Sequence, residues 1–387
     1  MNSNLVRPET MLYKLSCKGA LWLLFWLLAS PLANAAPAPS MTPAMHVVFF
    51  NPQSSDDTFW SEVIRFARAA AEDLNIRLDV FSANHDRLLM RQQIKHILAS
   101  DPPDFIMYKN FKGNAPELLA LAEEAKVRSF IFNSGLNVEQ ERRYGHPRER
   151  FKQWVGQMLP NDENAGYALA NMLFTSAASR ELLRGGQVLP ILAIGGTPTD
   201  NAAIEREMGL HRSLSERPEV ELQQLVSARW DEELAYKQAV GLLKRYPRTR
   251  VIWAANDSIA VGSLRGAQSL GYKPGENLLI AGIDWSPSAL EYIREGKLTG
   301  SFGGHFMQGA WSLVLMYDYH HGQDFADDVG VSIHSNMGLL TPENVDRYLK
   351  FIVGVNWSEI DFTRFSKTLN PQLKQYDFSL ERLLQQQ

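Results

Sequence analysis

The chain has 387 residues, 45% of them hydrophobic and 21% charged, with a formal net charge of −4. That length is enough for two folded domains, and the mild acidity without a basic stripe excludes nucleic acid as a partner. The single cysteine, Cys17, excludes a disulfide framework and a thiolate metal site.

The N-terminus reads as an export leader over 1–35. Lys14 and Lys18 precede an apolar run at 20–30, and Ala33-Asn34-Ala35 forms a small-residue cleavage site. The run is too short to span a bilayer comfortably. Cys17 lies before the run rather than after it, so it is not a lipid-attachment site. A mature chain without thiols fits an oxidising compartment.

After a Pro/Ala linker at 36–44 the chain alternates. Strands are expected at 47–50, 77–81, 105–108 and 129–132, and helices at 59–74, 87–100 and 117–125. The helices carry apolar residues at three- and four-residue spacing, as in Val63, Phe66, Ala67, Ala70 and Leu74. The charged stretch 137–153 has no apolar face and reads as a solvated loop. The rhythm then restarts, with helices at 165–175, 202–214, 232–246, 258–270 and 288–294. Strands are expected between them at 188–194, 221–226, 251–255 and 278–283. The fold class is therefore α/β, with two doubly wound Rossmann-like lobes, each built on a parallel sheet. From about residue 339 the alternation is lost, and this tail packs across the outside of the lobes or serves a partner.

The chain carries no G-x-S-x-G elbow, no phosphate loop and no H-E-x-x-H. His320 and His321 are adjacent and do not share a helix face. No catalytic set, metal or cofactor is expected, and the chain does not read as an enzyme. In open parallel sheets a ligand sits beyond the carboxyl ends of the strands. The loops starting at Asn51, Asn133, Gly195, Asn256 and Asp284 leave such ends and should converge on one cleft. The candidate ligand-binding residues there are Asp57, Phe59, Trp60, Asn133, Arg206, Trp230, Asn256, Asp284 and Trp285. Carboxylates, amides and a guanidinium can each bond two neighbouring hydroxyls, while flat aromatics pack on a C–H face. That pairing suits a small polar ligand, a sugar or a sugar-like signal.

Several candidates also have a plainer role. Phe59 and Trp60 could be core, although adjacent helical residues cannot both face it. Asp284 could cap the following helix, a job Ser286 or Ser288 could also do. Asn256 could cap the helix from 258, with Asp257 the better-placed cap. Arg206 could form a surface ion pair.

The stretches WAANDSIAVGSLRGAQSLGY (253–272) and LLIAGIDWSPSALEYIREGKLTGSF (278–302) resemble the type I periplasmic binding proteins for pentoses and hexoses. Looser matches are the strand–loop–aromatic start at 47–60 and AAIEREMGL (202–210), so that the resemblance covers roughly residues 45–335. It implies two lobes joined by three crossover strands and closing by a hinge. Residues 45–160 plus 305–332 would form the N-terminal lobe, 161–304 plus 333–355 the C-terminal lobe, and 356–387 an extension. It also implies an aromatic sandwich of Phe59, Trp60 and Trp230, a guanidinium at Arg206, an amide at Asn256 and a carboxylate at Asp284. Asp57 stands where an Asn often lies. Trp285 fits hinge packing or a lip of the cleft, and His305 fits a structural role or ligand contact. Two departures put an ordinary aldopyranose in question: Asn133-Ser134 replaces an Asp-Arg pair, and Gly303-Gly304-His305 replaces a polar Gln or Arg. DDTFW (56–60) followed by LNIRLDVFSANHD (74–86) resembles the autoinducer-2 receptor branch, which binds a furanosyl signal. The expected protein is a periplasmic monomer, partnered by an ABC permease or, alternatively, by a membrane sensor kinase or chemoreceptor.

Overall fold

The computed structural model describes residues 44–54, 57–182, 188–354 and 357–384; the leader read at 1–35, with Cys17, lies outside them. The first lobe opens with β1 (Met45–Asn51), α1 (Thr58–Asp73), β2 (Ile76–Ser82) and α2 (Arg87–Ser100). It continues with β3 (Phe105–Tyr108), α3 (Ala115–Ala125), β4 (Arg128–Phe132), α4 (Val138–Tyr144) and β5 (Trp154–Pro160). The second lobe holds α5 (Asp162–Ser179), β6 (Leu189–Gly195), α6 (Asn201–Ser215), β7 (Val220–Ser227) and α7 (Glu232–Arg245). It is completed by β8 (Val251–Ala254), α8 (Asp257–Ser269), β9 (Leu279–Asp284), α9 (Pro287–Arg294) and β10 (Gly300–Gly303). The chain then returns through α10 (Gln308–His320) to β11 (Ser332–Ser335), crosses again to β12 (Gly338–Leu340), and ends in α11 (Val345–Gly354), short 3-10 turns and α12 (Leu380–Leu384).

Two six-stranded sheets result, ordered β11-β5-β4-β3-β1-β2 and β12-β10-β9-β8-β6-β7. All pairings are parallel except β12 on β10, which is antiparallel. The chain passes between sheets after β5, after β10 and after β11, which gives the three crossings that the resemblance implies. The expected lobe boundary at 332 falls inside β11, whose residues pair with β5 through Ser335↔Pro160.

The double winding follows from the strand pattern. In β1 the alternate residues Val47 and Phe49 enter the core under α1 and α10, while Val48 and Phe50 enter the core under α2 and α3. A strand covered on both faces must be apolar at every position. α1 buries Trp60, Val63, Phe66, Ala67 and Ala70 on one stripe. Its first turn is closed by Asp57, which accepts from the Phe59 and Trp60 amides.

The loop expected at 137–153 contains a helix. α4 is exposed and has no buried residue, so it leaves no apolar period to read. It is held by its ends: Asn137 and Gln140 form a reciprocal capping box, and Gln140 also bonds Asn110 and the Gly113 carbonyl.

The tail packs on the first lobe. Trp357 and Phe362 pack edge-on against Phe66, and Phe365 and Phe378 pack on Trp311. The fully buried Asp318 of α10 pins it. One carboxylate oxygen accepts from Ser366 Oγ (2.5 Å) and the Thr368 amide (3.1 Å), the other from the Lys367 amide (2.7 Å) and Tyr376 OH (2.8 Å). Among the described residues no helix is long and apolar enough to cross a membrane.

Candidate functional site

The strand ends of both sheets face one another across a cleft, and side chains from both lobes meet there. Lys109, just after β3, pairs with Asp200 at the start of α6 (3.2 Å). Asn201 donates to the Gly135 carbonyl (3.0 Å). Asp200 occupies the N-cap position of α6 but makes no side-chain cap bond, because its carboxylate is turned across the cleft. Lys109 also lies over the Trp60 ring (5.7 Å).

The centre of the site is Arg206, only 3% exposed. The alternative of a surface ion pair is overturned. Its Nε donates to Asp162 Oδ1 (2.7 Å), one terminal nitrogen donates to the Ala255 carbonyl (2.8 Å), and the other faces His305 Nε2 (3.4 Å). Asp284 stands 3.6 Å away as an ion pair, and the Trp230 ring lies alongside at 5.7 Å. Two glycines permit this arrangement. A Cβ on Gly166 of α5 would collide with the Arg206 backbone, and one on Gly209 of α6 with the Glu163 carbonyl. The two helices therefore cross backbone to backbone, which seats Asp162 beside the guanidinium.

Asp284 bonds Asn256 Nδ2 (3.2 Å) and stands 3.5 Å from His305 Nε2. Burial holds its carboxyl well above the usual range, against the pull of Arg206. It is free to face the cleft because Ser286 caps α9. Asn256, not Asp257, caps α8: Asn256 has the extended backbone of a cap, and its Oδ1 accepts from the Ile259 amide. Asp257 is already inside the helix and fully buried. It binds Ser301 Oγ and the Ser286 amide, tying α8 to β10 and to the cap of α9, while burial raises its carboxyl to about 6.

His305 stacks on Phe59 at 4.7 Å. Burial, then Arg206 and Lys109, hold it well below the ordinary histidine range, so it is neutral at pH 7. Its Nε2 faces both the Arg206 guanidinium and Asp284, and its Nδ1 is buried without a protein partner. Asp57, Asp200 and Trp230 share the lining of a cavity of about 260 Å³ between the lobes, with Gln53, His85 and Thr197. That is near the lower end of small-ligand sites, roughly 300–1,000 Å³.

Of the nine candidates, seven are linked through these contacts: Asp57, Phe59, Trp60, Arg206, Trp230, Asn256 and Asp284. Trp60 is also wedged between Phe49 and Phe132 of the core. Asn133 ends β4 in a left-handed conformation (φ 66°), with its amide on the Met158 carbonyl. Trp285 turns toward the hinge, where its indole N–H donates to the Ser301 carbonyl and it is 3% exposed. Lys109, Asp162 and Asp200 are not among the sequence candidates. Lys109 at a strand end was the available signal; the two aspartates look like ordinary helix starts until α5, α6 and β3 are brought together.

Glu205 sits beside this network. Burial, reinforced by Asp162, raises its carboxyl to about 7; Glu141 and Glu163 add to this, and Arg206 opposes it. The native state thus keeps a proton that the unfolded chain has lost. Stability from this group is fully present at low pH and declines as pH rises from about 4.5 through about 7. Glu205→Gln is expected to raise stability at pH 8 by on the order of 1 kcal/mol after solvent screening, and with it the melting temperature. At pH 5 the variant and parent should melt together, as thermal scans across that range would check.

The family model described as periplasmic binding protein domain matches residues 47–324. A solved periplasmic sugar-binding protein from Pseudomonas fluorescens is 36% identical, with a TM-score of 0.80; the match covers 88% of this chain and 99% of that one. A D-allose-binding periplasmic protein of Escherichia coli (strain K12) is 29% identical over 135 residues, 35% of this chain and 42% of the relative. A D-apiose import binding protein of Actinobacillus succinogenes is 24% identical over 259 residues, 67% of this chain and 75% of the relative. The chain thus spans about two-fifths of the allose-binding relative it matches.

Proposed function

The chain belongs to the periplasmic binding protein domain family, and from that premise we propose that it captures a sugar or sugar-like polyhydroxyl ligand between its lobes and presents it to an ABC importer. The observation that carries this reading is the meeting of Asp284, Asn256, Arg206 and His305 beside the aromatic faces of Phe59 and Trp230. Planar groups of both donor and acceptor type, flanked by flat apolar walls, match a ring with hydroxyls on its edge and C–H bonds on its face. The named relatives bind allose or serve apiose import, which supports the same class. The protein performs no chemistry on the ligand. Its output is lobe closure, which creates a surface that an open form lacks. The leader-like N-terminus supports work in the periplasm.

The test is a calorimetric and thermal-shift panel of aldoses, ketoses and polyols, in both pyranose- and furanose-forming series. At least one neutral sugar should bind and raise the melting temperature. Asp284→Ala should weaken that sugar by about 1.5–3 kcal/mol, the scale of a hydrogen bond to a charged group. A panel without binders, or an Asp284→Ala protein that binds as tightly as the parent, would overturn the reading.

A further inference from the structure

A larger cavity, about 510 Å³, lies behind the hinge and shares only Trp285 with the candidate residues of the cleft. Its walls come from every part of the joint between the lobes. Trp311 on α10 and Phe378 in the tail belong to the first lobe; Trp285 after β9 and Tyr348 on α11 belong to the second. The crossing segments 303–304 and 333–340 complete it.

Among these rings sits one misfit. Gln308 is 1% exposed and lines the cavity. One end of its amide donates to Ser335 Oγ (2.6 Å), and its carbonyl oxygen has no protein partner. A buried polar atom left unpaired costs about 1–3 kcal/mol, which a donor entering beside Gln308 would recover. The titratable side chains of the lining, His334 and Glu381, are exposed at its rim. An ion held deep inside would have no counter-charge there.

We propose that this cavity is a second ligand site, distinct from the interlobe cleft, for a small uncharged ring-bearing molecule with one hydroxyl or N–H group. The ring packs among Trp285, Trp311, Tyr348 and Phe378, and the hydroxyl or N–H donates to the Gln308 carbonyl. The volume lies within the range of small-molecule sites. Because the walls belong to both lobes, the occupant contacts both sides of the hinge.

Indole serves as the probe, since it is uncharged, planar and carries one N–H. Binding to the purified protein is followed by saturation-transfer NMR and located by a crystal soak. Indole should bind at millimolar concentration with its N–H on Gln308. Gln308→Leu should weaken it by about tenfold, the value of one lost hydrogen bond. Met337→Trp, which fills the cavity from a half-exposed position, should abolish binding in a protein that melts like the parent. Asp284→Ala, in the cleft, should leave indole binding unchanged, so that this site and the sugar reading succeed or fail separately. Absence of indole binding to the folded parent would overturn the proposal. So would density elsewhere, or equal affinity in both cavity variants.

Discussion

Arg206→Ala should lose both ligand binding and roughly 3–5 kcal/mol of stability, the cost of leaving a buried charge without its partner. Among the described residues the guanidinium is the hydrogen-bonded countercharge of Asp162, which is itself 2% exposed, and the nearest cation to Asp284. Removing it leaves two buried carboxylates beside Glu205, whose own proton is already held by burial and by Asp162. Stability should therefore become more pH-dependent, recovering as the carboxylates are protonated. Arg206→Lys should not rescue it: one ammonium cannot reach Asp162, the Ala255 carbonyl and His305 in three directions. The double variant Arg206→Met, Asp162→Leu should regain much of the stability and none of the sugar binding. Urea melts at pH 5 and pH 8, read beside calorimetry, separate these outcomes. A single Ala variant as stable as the parent would show that the pair is not coupled.

Asp318→Ala is the second large effect. The carboxylate collects four donors from the tail, three of them within three residues. Its loss strands those donors in a buried place and releases the segment that carries Phe365, Tyr376 and Phe378. A charge-assisted bond contributes about 1.5–3 kcal/mol and the four are not independent, so about 3–5 kcal/mol is expected in all. Limited proteolysis should cut the variant within 366–380 well before the rest of the fold. Asp318→Asn keeps the shape but turns one acceptor into a donor, and it should fall between parent and Ala variant. Cleavage at unchanged rates in Asp318→Ala would mean that the aromatic contacts alone hold the tail.

Most of the fold was legible because the lobes obey local rules. Strands such as 105–108 are uninterrupted apolar runs, and helix 87–100 is set off by Asp86, so its expected and observed limits coincide. What escaped were β5 and α10, which are buried yet stand where no element is expected, and elements held by something other than an apolar period. α4 rests on a capping box and on Gln140, and β10 is four residues, Gly300–Gly303, with a glycine at either end. The tail escaped because its partners, Phe66 and Trp311, lie far away in sequence. The site divides the same way. Strand-end position finds Asp284 and Asn256, and the resemblance marks Arg206. Which of Asn256 and Asp257 caps α8 is a one-residue question of backbone geometry. That Asp162 and Asp200 serve the cleft depends on two glycines letting α5 and α6 meet, a fact of three dimensions.

The clasp of the tail also imposes an order in time. Synthesis runs from the N-terminus, yet the aromatic face over Phe66 is sealed only by residues near the other end. At about 5–20 residues per second, the gap of about 300 residues leaves the first-made lobe unsealed for on the order of 15–60 s. During that interval its rings are bare to any holding chaperone, and the lobe lacks the last part of its core. A nascent chain that cannot lock early stays threadable, which suits one proposed to pass through a membrane before it folds.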